Sequence, residues 1–278
     1  MIINEKHKDR VFKYIFQNKE WMLDLYNAVN GSDYKDPDAI MFNTIEDAIY
    51  MGMRNDVSFI ISSEINLWEH QSSYNPNMPL RFFLYLAQLY EKYIAVSDYN
   101  KYSSTLQKLP RPKCICFYNG LINQPEKKIL RLSEAFDKEG DVELKVTMLN
   151  INYGKNQELM NACKPLKEYS WLIETIRKYQ KNNLEEAIER AINEMPEDFV
   201  IRNFILGHKA EVKGMFLTEW DQEKFLKQQR KETENDVNER VARDMLKNGE
   251  PFEKIKMYSR LAEDTIRNLA MSLGVSVC

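Results

Sequence analysis

From Val57 to Gln71 the chain alternates with a period of two, and few architectures accommodate that pattern. Val57, Phe59 and Ile61 alternate with Asp56, Ser58 and Ile60. Ile65, Leu67, Glu69 and Gln71 form a second set, with Asn66, Trp68 and His70 on the opposite face. Ser62, Ser63 and Glu64 between the runs are turn residues, so the segment predicts a hairpin. A turn centred between Ser62 and Ser63 sets Ser58 opposite Leu67 and Asp56 opposite Glu69. Directly opposed residues hold their Cβ atoms about 4.5–5.5 Å apart. Two carboxylates at that separation repel, and a divalent cation between them converts the repulsion into coordination. Mg²⁺ suits the arrangement, because one or two carboxylates, waters and substrate phosphate usually hold it. Gln71 shares the face of Glu69 and can orient a water or a phosphate oxygen there. On the residues alone an alternative stays open: Asp56 and Glu69 as ordinary polar residues at strand ends.

The residues around the hairpin extend the pattern. Asp56 is followed by Glu69-His70-Gln71-Ser72 and then by Asn75-Pro76-Asn77-Met78-Pro79-Leu80-Arg81. Upstream stands Asp9-Arg10-Val11-Phe12-Lys13-Tyr14-Ile15-Phe16, and downstream Phe117-Tyr118-Asn119-Gly120. Together these resemble the PD-(D/E)xK nuclease superfamily, and within it the transposase-related branch of recombination-promoting nucleases. The resemblance covers roughly the first 150 residues, and the combination is more specific than any single piece. It implies an α/β, restriction-endonuclease-like core, a mixed β-sheet flanked by helices. It implies Asp56 and Glu69 as metal-binding carboxylates and Gln71 as the third catalytic position. Two departures stand out. Gln71 occupies the usual Lys position, and Asn55 precedes Asp56 where the superfamily motif has Pro. Gln carries no charge and is a poor base, so chemistry here would lean more on a metal-activated water.

Composition narrows the remaining classes. A hydrophobic content of 44% supports a real core, and nine Gly and nine Pro argue against a loop-dominated fold. Cys114 and Cys116 share one face of an apolar strand, Cys163 and Cys278 are isolated, and no His stands near them, so neither a disulfide framework nor a zinc site is expected. No apolar run reaches the length of a membrane span. No signal peptide is expected, because Met1-Ile2-Ile3-Asn4-Glu5-Lys6 leads straight into a charged amphipathic helix. The expectation is a cytoplasmic protein with no organic cofactor, since no glycine-rich phosphate loop or dinucleotide fingerprint occurs. A net charge of −3 does not mark a nucleic-acid binder, but local patches decide binding. Candidate patches are Lys108, Arg111 and Lys113; Lys127, Lys128 and Arg131; and Lys227, Arg230 and Lys231.

Along the chain, residues 8–29 read as a helix ended by Asn30-Gly31. Ala48, Tyr50 and Met51 suggest a first strand. A helix opens at Pro79 with Asn77 as its cap and runs to about Val96, apolar on most sides and so buried against the sheet. Strands follow at Lys113–Tyr118 and Val142–Ile151. Helices are expected at Leu159–Gln180, Leu184–Met195 and Phe199–Trp220. After Asp221 the chain is highly charged, with Val237, Val241 and Met245 spaced by four. Two short helices near the end resemble a helix-turn-helix, yet Arg267 and Asn268 are almost the only base readers offered, so a helical cap or dimerisation element fits better. This divides the chain into a nuclease-like core at 1–155, a helical extension at 156–220, and a charged helix with a small helical element at 221–278.

Three functions follow. The first is a metal-dependent DNA endonuclease using Mg²⁺, with Mn²⁺ or Ca²⁺ also accepted by the carboxylates, working as a homodimer for double-strand cleavage. The resemblance implies a role in DNA recombination or mobility. The second is a catalytically inactive DNA-binding or regulatory protein with a helix-turn-helix-like C-terminus. The third is a helical interaction module with a structural α/β domain, which binds neither metal nor DNA and leaves the facing carboxylates unexplained. His70, facing away from Glu69 and Gln71 on a regular strand, is expected to be a packing residue and not a base.

Overall fold

The computed structural model describes residues 10–42, 57–97, 99–180 and 183–275, and the side chains of 219–234 are set aside with the rest. Asp56, the strand expected around Ala48–Met51, and the Lys227, Arg230 and Lys231 side chains lie outside the described residues. The chain divides into two compact units, Met1–Glu219 and Trp220–Cys278.

The first unit is an α/β layered structure around a six-stranded mixed sheet of order β1-β2-β3-β4-β6-β5. Its strands are β1 (Met41–Phe42), β2 (Val57–Ile61), β3 (Glu64–Gln71), β4 (Arg111–Tyr118), β5 (Lys127–Arg131) and β6 (Lys145–Asn150). The β1–β2 and β2–β3 pairs are antiparallel. The β3–β4 and β4–β6 pairs are parallel, and β5 closes the far edge antiparallel to β6. The hairpin has the register its pattern predicts, with Ser58 paired to Leu67 and Ile61 to Glu64. Ser62 takes a φ of 53°, the positive value that two-residue hairpin turns use to follow the strand twist.

All eight residues of β3 are buried, because layers cover both faces. On one face Ile65 and Leu67 pack with Cys114, Cys116 and Tyr118 of β4 against α3 (Met78–Val96). On the other, Trp68 meets Phe59 and Phe117 edge-on at 4.9 and 5.4 Å. That aromatic layer continues into α1 (Arg10–Ile15) through Phe12 and into α2 (Lys19–Asn30) through Tyr26. Helices α4 (Gln157–Ala162), α5 (Lys164–Tyr179), α6 (Leu184–Asn193), α7 (Arg202–Gly207) and the first turns of α8 (Lys209–Lys247) complete the unit.

Three expected helices are broken, each for a local reason. The run at 8–29 is two helices, because Asn18 leaves helical geometry and its side chain accepts the Trp21 N–H at 3.1 Å, capping α2. The run at 159–180 is interrupted at Cys163, and Pro165 opens the first turn of α5, where its missing N–H costs nothing. The run at 199–220 starts late, because the chain turns at Pro196–Ile201, where buried Glu168 accepts the Val200 and Ile201 N–H groups at 3.0 Å each, and it breaks at His208 between α7 and α8. Burial holds the Glu168 carboxyl above its ordinary value, and those two hydrogen bonds offset only part of the rise. Helix α3 begins and ends close to expectation, but the Asn77 side chain makes no cap bond; Asn75 accepts the Asn77 N–H instead. Only one face of α3 is buried, through Met78, Phe82, Tyr85 and Leu89, while Leu80, Phe83 and Leu84 are exposed. Lys127, Lys128 and Arg131, read above as a basic patch, lie on edge strand β5.

In the second unit the end of α8 packs with α9 (Phe252–Ser259) and α10 (Glu263–Leu273). Ala242, Leu246, Ile255, Ile266, Leu269 and Ala270 form its core. The buried stripe of α8 is therefore Ala242 and Leu246, with Met245 beside it, whereas Val237 is exposed. Arg267 lies over the Phe252 ring at 4.9 Å, and the first turn of α10 carries Glu263 and Asp264. No described helix is long and apolar enough to cross a membrane.

Two glycines test this packing in opposite directions. A Cβ on Gly120 would come within 2.4 Å of Tyr118 Oη and 2.6 Å of the Ser72 backbone oxygen. Gly120→Ala is expected to cost about 1–3 kcal/mol in urea denaturation, the range of overpacked sites. Gly214 sits within α8 with nothing in reach of an added Cβ, so Gly214→Ala is expected to raise stability by about 0.5–1 kcal/mol. Equal effects at the two sites would contradict the packing described.

Candidate functional site

Glu69 and Gln71 lie in the C-terminal half of β3, facing α3. Their positions oppose Cys116 and Tyr118 of β4, and their residues are 1% and 5% exposed. A carboxylate so far from water needs compensating hydrogens or charge. Arg81, in the first turn of α3, supplies the charge: its Nη2 lies 3.1 Å from Glu69 Oε2. The Gln71 amide donates to the same oxygen at 3.3 Å. Arg81 is itself steadied by Tyr85, whose Oη accepts from Nη2 at 3.2 Å and whose ring lies 5.9 Å from the guanidinium carbon. Arg81 is thus the ion-pair partner of Glu69.

Asp56 lies outside the described residues, one position before β2. The strand pairs that are described have the register from which its opposition to Glu69 was expected. Ser58 was missed as a site candidate. It is 5% exposed, is paired with Leu67, and its Oγ has no hydrogen-bond partner among the described residues. The signal was available, since Ser58 follows Asp56 by two residues and so shares its face in a regular strand.

His70 turns to the opposite layer. Its ring stacks on Phe12 at 5.0 Å, and Nε2 lies 3.1 Å from Tyr169 Oη. His208 Nδ1 lies 2.9 Å from the Phe204 carbonyl oxygen, and His7 is outside the described residues. Cys114, Cys116 and Cys163 are buried and free of disulfides, and Cys278 is undescribed. Among the described residues no group of three or more His, Cys, Asp or Glu side chains gathers into a metal site. The described oxygen donors at this site are Glu69 and Gln71. One carboxylate and one amide oxygen on a single strand face are hard oxygen donors, the type that Mg²⁺ and Ca²⁺ take. Arg81 competes with a cation for Glu69 Oε2.

No family model, no curated protein and no solved structure matches this chain.

The Arg81–Glu69 contact can be measured by a double-mutant cycle. Removing one member of a mostly buried pair strands the other, so Arg81→Met and Glu69→Gln should not be additive. The expected coupling in urea denaturation is at least about 1 kcal/mol, below the full value for a buried pair because Arg81 keeps contact with solvent. A coupling near zero would show the pair to be energetically idle.

The thiols give a pH dependence. Burial pushes Cys114 and Cys163 up to about 12, whereas an unfolded thiol ionises near about 8.5. A raised folded value means that their stabilising contribution is complete below about pH 8.5 and is lost as pH climbs toward about 12. The urea midpoint should fall between about pH 8 and pH 11, and fall less steeply in Cys114→Ala and Cys163→Ala. Slopes equal to wild type would exclude these two thiols as the cause.

Proposed function

We propose that the chain is a metal-dependent DNA endonuclease of the PD-(D/E)xK type, related to the recombination-promoting nucleases. The observation that carries this is the buried Glu69 carboxylate, two residues from the Gln71 amide on one face of the central strand. The element order supports it too. A helix layer precedes three antiparallel-linked strands, then come α3 and the parallel strand β4. A helix before the hairpin, and a helix and a strand after it, follow the order expected from the sequence, whose first strand at Ala48–Met51 lies outside the described residues.

In this reading Glu69, with Asp56, holds the metal. When bound, Mg²⁺ lowers the pKa of a water and offsets charge on the scissile phosphate. Arg81 orients the Glu69 carboxylate and offsets its charge. Gln71 can donate its amide hydrogens to a phosphate oxygen or accept from a water. It cannot serve as a base. Each chain carries one such site, so cutting both strands of a duplex calls for two chains.

One observation favours the alternative of a DNA-binding protein without chemistry: Glu69 already has a cationic partner in Arg81, and the neutral Gln71 stands at the Lys position. The C-terminal unit lends that alternative little. Glu263 and Asp264 place negative charge on the first turn of α10, the end of a recognition helix that contacts bases.

Cleavage of supercoiled plasmid separates the two. Wild type with Mg²⁺ is expected to nick or linearise the plasmid. Asp56→Ala and Glu69→Ala are expected to lose at least about a hundredfold in rate, as for loss of a principal electrostatic group. Gln71→Lys should retain cleavage. A folded wild type that binds DNA but leaves it intact with both Mg²⁺ and Mn²⁺ would refute the nuclease reading in favour of the binding protein.

A further inference from the structure

The turn between β4 and β5 combines two properties that rarely coincide. Leu121 and Ile122, consecutive in sequence, are 66% and 65% exposed. A flexible turn would tend to fold such side chains inward, because exposed apolar area is unfavourable. This turn is held in place. Four carbonyls along it accept side-chain hydrogen bonds from the body of the unit. Arg177 of α5 donates to Asn119 O. Asn152 Nδ2 donates to Gly120 O at 3.0 Å, Tyr118 Oη to Ile122 O at 2.7 Å, and Asn150 Nδ2 to Gln124 O at 2.8 Å. Gly120 fits closely against Ser72, leaving no room for a side chain. The backbone is clamped, and the apolar tip is presented outward.

The turn also has a definite address. The Asn119 N–H donates to Gln71 O at 2.9 Å, so the turn starts beside the strand end that carries Glu69 and Gln71. On its other side β5 opens with Lys127 and Lys128. Lys127 is exposed. Lys128 Nζ bonds Tyr74 Oη at 2.9 Å and lies 4.7 Å from that ring's centre, which ties it to the loop between β3 and α3.

We propose that Leu121 and Ile122 form a rigid apolar prong that enters duplex DNA between base pairs beside the Glu69–Gln71 site, with Lys127 and Lys128 neutralising the flanking phosphates. The inference rests on the nuclease reading. Apolar side chains inserted at a base step partly unstack it and kink the duplex, and cations beside them, exposed Lys127 and partly exposed Lys128, meet the backbone charge. A second copy of the chain is the poorer occupant, because two side chains supply only a small part of the roughly 800 Å² per partner of a stable interface.

The test uses a short duplex in which the adenines of one strand are replaced by 2-aminopurine, a base whose fluorescence rises when it unstacks. Full-length protein is added in EDTA, so that no cutting occurs, and binding is followed in parallel by anisotropy. Wild type should bind with a fluorescence rise of about twofold or more. The Leu121→Ser/Ile122→Ser variant should keep the wild-type circular dichroism and melting temperature, bind at least about threefold more weakly, and give no rise. Binding by wild type without a rise, or an equal rise with the variant, overturns the prong and leaves the nuclease reading standing. Absence of wild-type binding removes both. A wild-type dimer that becomes a monomer in the variant, seen by sedimentation, also overturns the prong and assigns the turn to a second copy.

Discussion

A carboxylate inside a sheet layer sets the terms for everything near it. Glu69 is 1% exposed on a strand buried along its whole length, where an unmatched charge would cost several kcal/mol, a large part of the stability of a domain. The match comes from Arg81, at the start of α3. That contact fixes more than a charge. It ties the first turn of α3 to the middle of the sheet, and the register of α3 then brings Phe82, Tyr85 and Leu89 over Ile65 and Leu67. Replacing the pair with apolar residues of similar volume would be no weaker in principle. Stability alone therefore does not explain why an Arg and a Glu stand there. A carboxylate held in one orientation in a dry layer is costly to keep, and it is the kind of oxygen donor that a hard cation takes.

One group of polar side chains of the first unit lies at the carboxyl end of the parallel strands. Gln71 ends β3, Tyr118 ends β4 and Asn150 ends β6. Beyond them Asn119, Asn152 and Arg177 form a hydrogen-bonded group: Arg177 reaches Asn152 Oδ1 at 2.8 Å, and Asn152 in turn reaches Asn150 Oδ1 at 2.9 Å. One face of the sheet is aromatic, built from Phe59, Trp68 and Phe117 with Phe12 of α1 packed on it. Open α/β sheets bind ligands beyond the carboxyl ends of their parallel strands. The reason is local: side chains there are anchored by the sheet yet project past it.

Much of this was legible in the residues because period-two alternation and turn chemistry act over short distances. The hairpin register depends on Ser62 and Ser63 and on which face buries, and both can be read from Val57–Gln71 alone. The opposite orientations of His70 and Glu69 follow from the same alternation. What escaped was governed by single residues inside longer patterns. Asn18 splits one helix by capping the next, and Pro165 splits another; both are breakers with known preferences that a continuous apolar stripe concealed. Edge strand β5 escaped because Lys127, Lys128 and Arg131 look like a charged surface, and charge is what an edge strand carries to discourage pairing with other chains. No short-range pattern pairs Arg81 with Glu69. The residues are twelve apart, and their meeting depends on how the loop at 72–77 returns α3 to the sheet.

The clamped turn after β4 shows what short-range reading leaves out. Asn119-Gly120 marks a turn in any sequence, and nothing within that dipeptide says whether the turn is mobile or held. The answer lies in Asn150, Asn152 and Arg177, separated from it along the chain and brought together by the parallel pairing of β4 with β6 and by the packing of α5. Fixing a turn in one conformation costs backbone entropy of about 1–2 kcal/mol per residue, and the carbonyl hydrogen bonds offset it. That expenditure is hard to account for if the tip only connects two strands. It is the arrangement expected where an exposed apolar pair must meet a partner in one orientation, with little ordering left to do on contact.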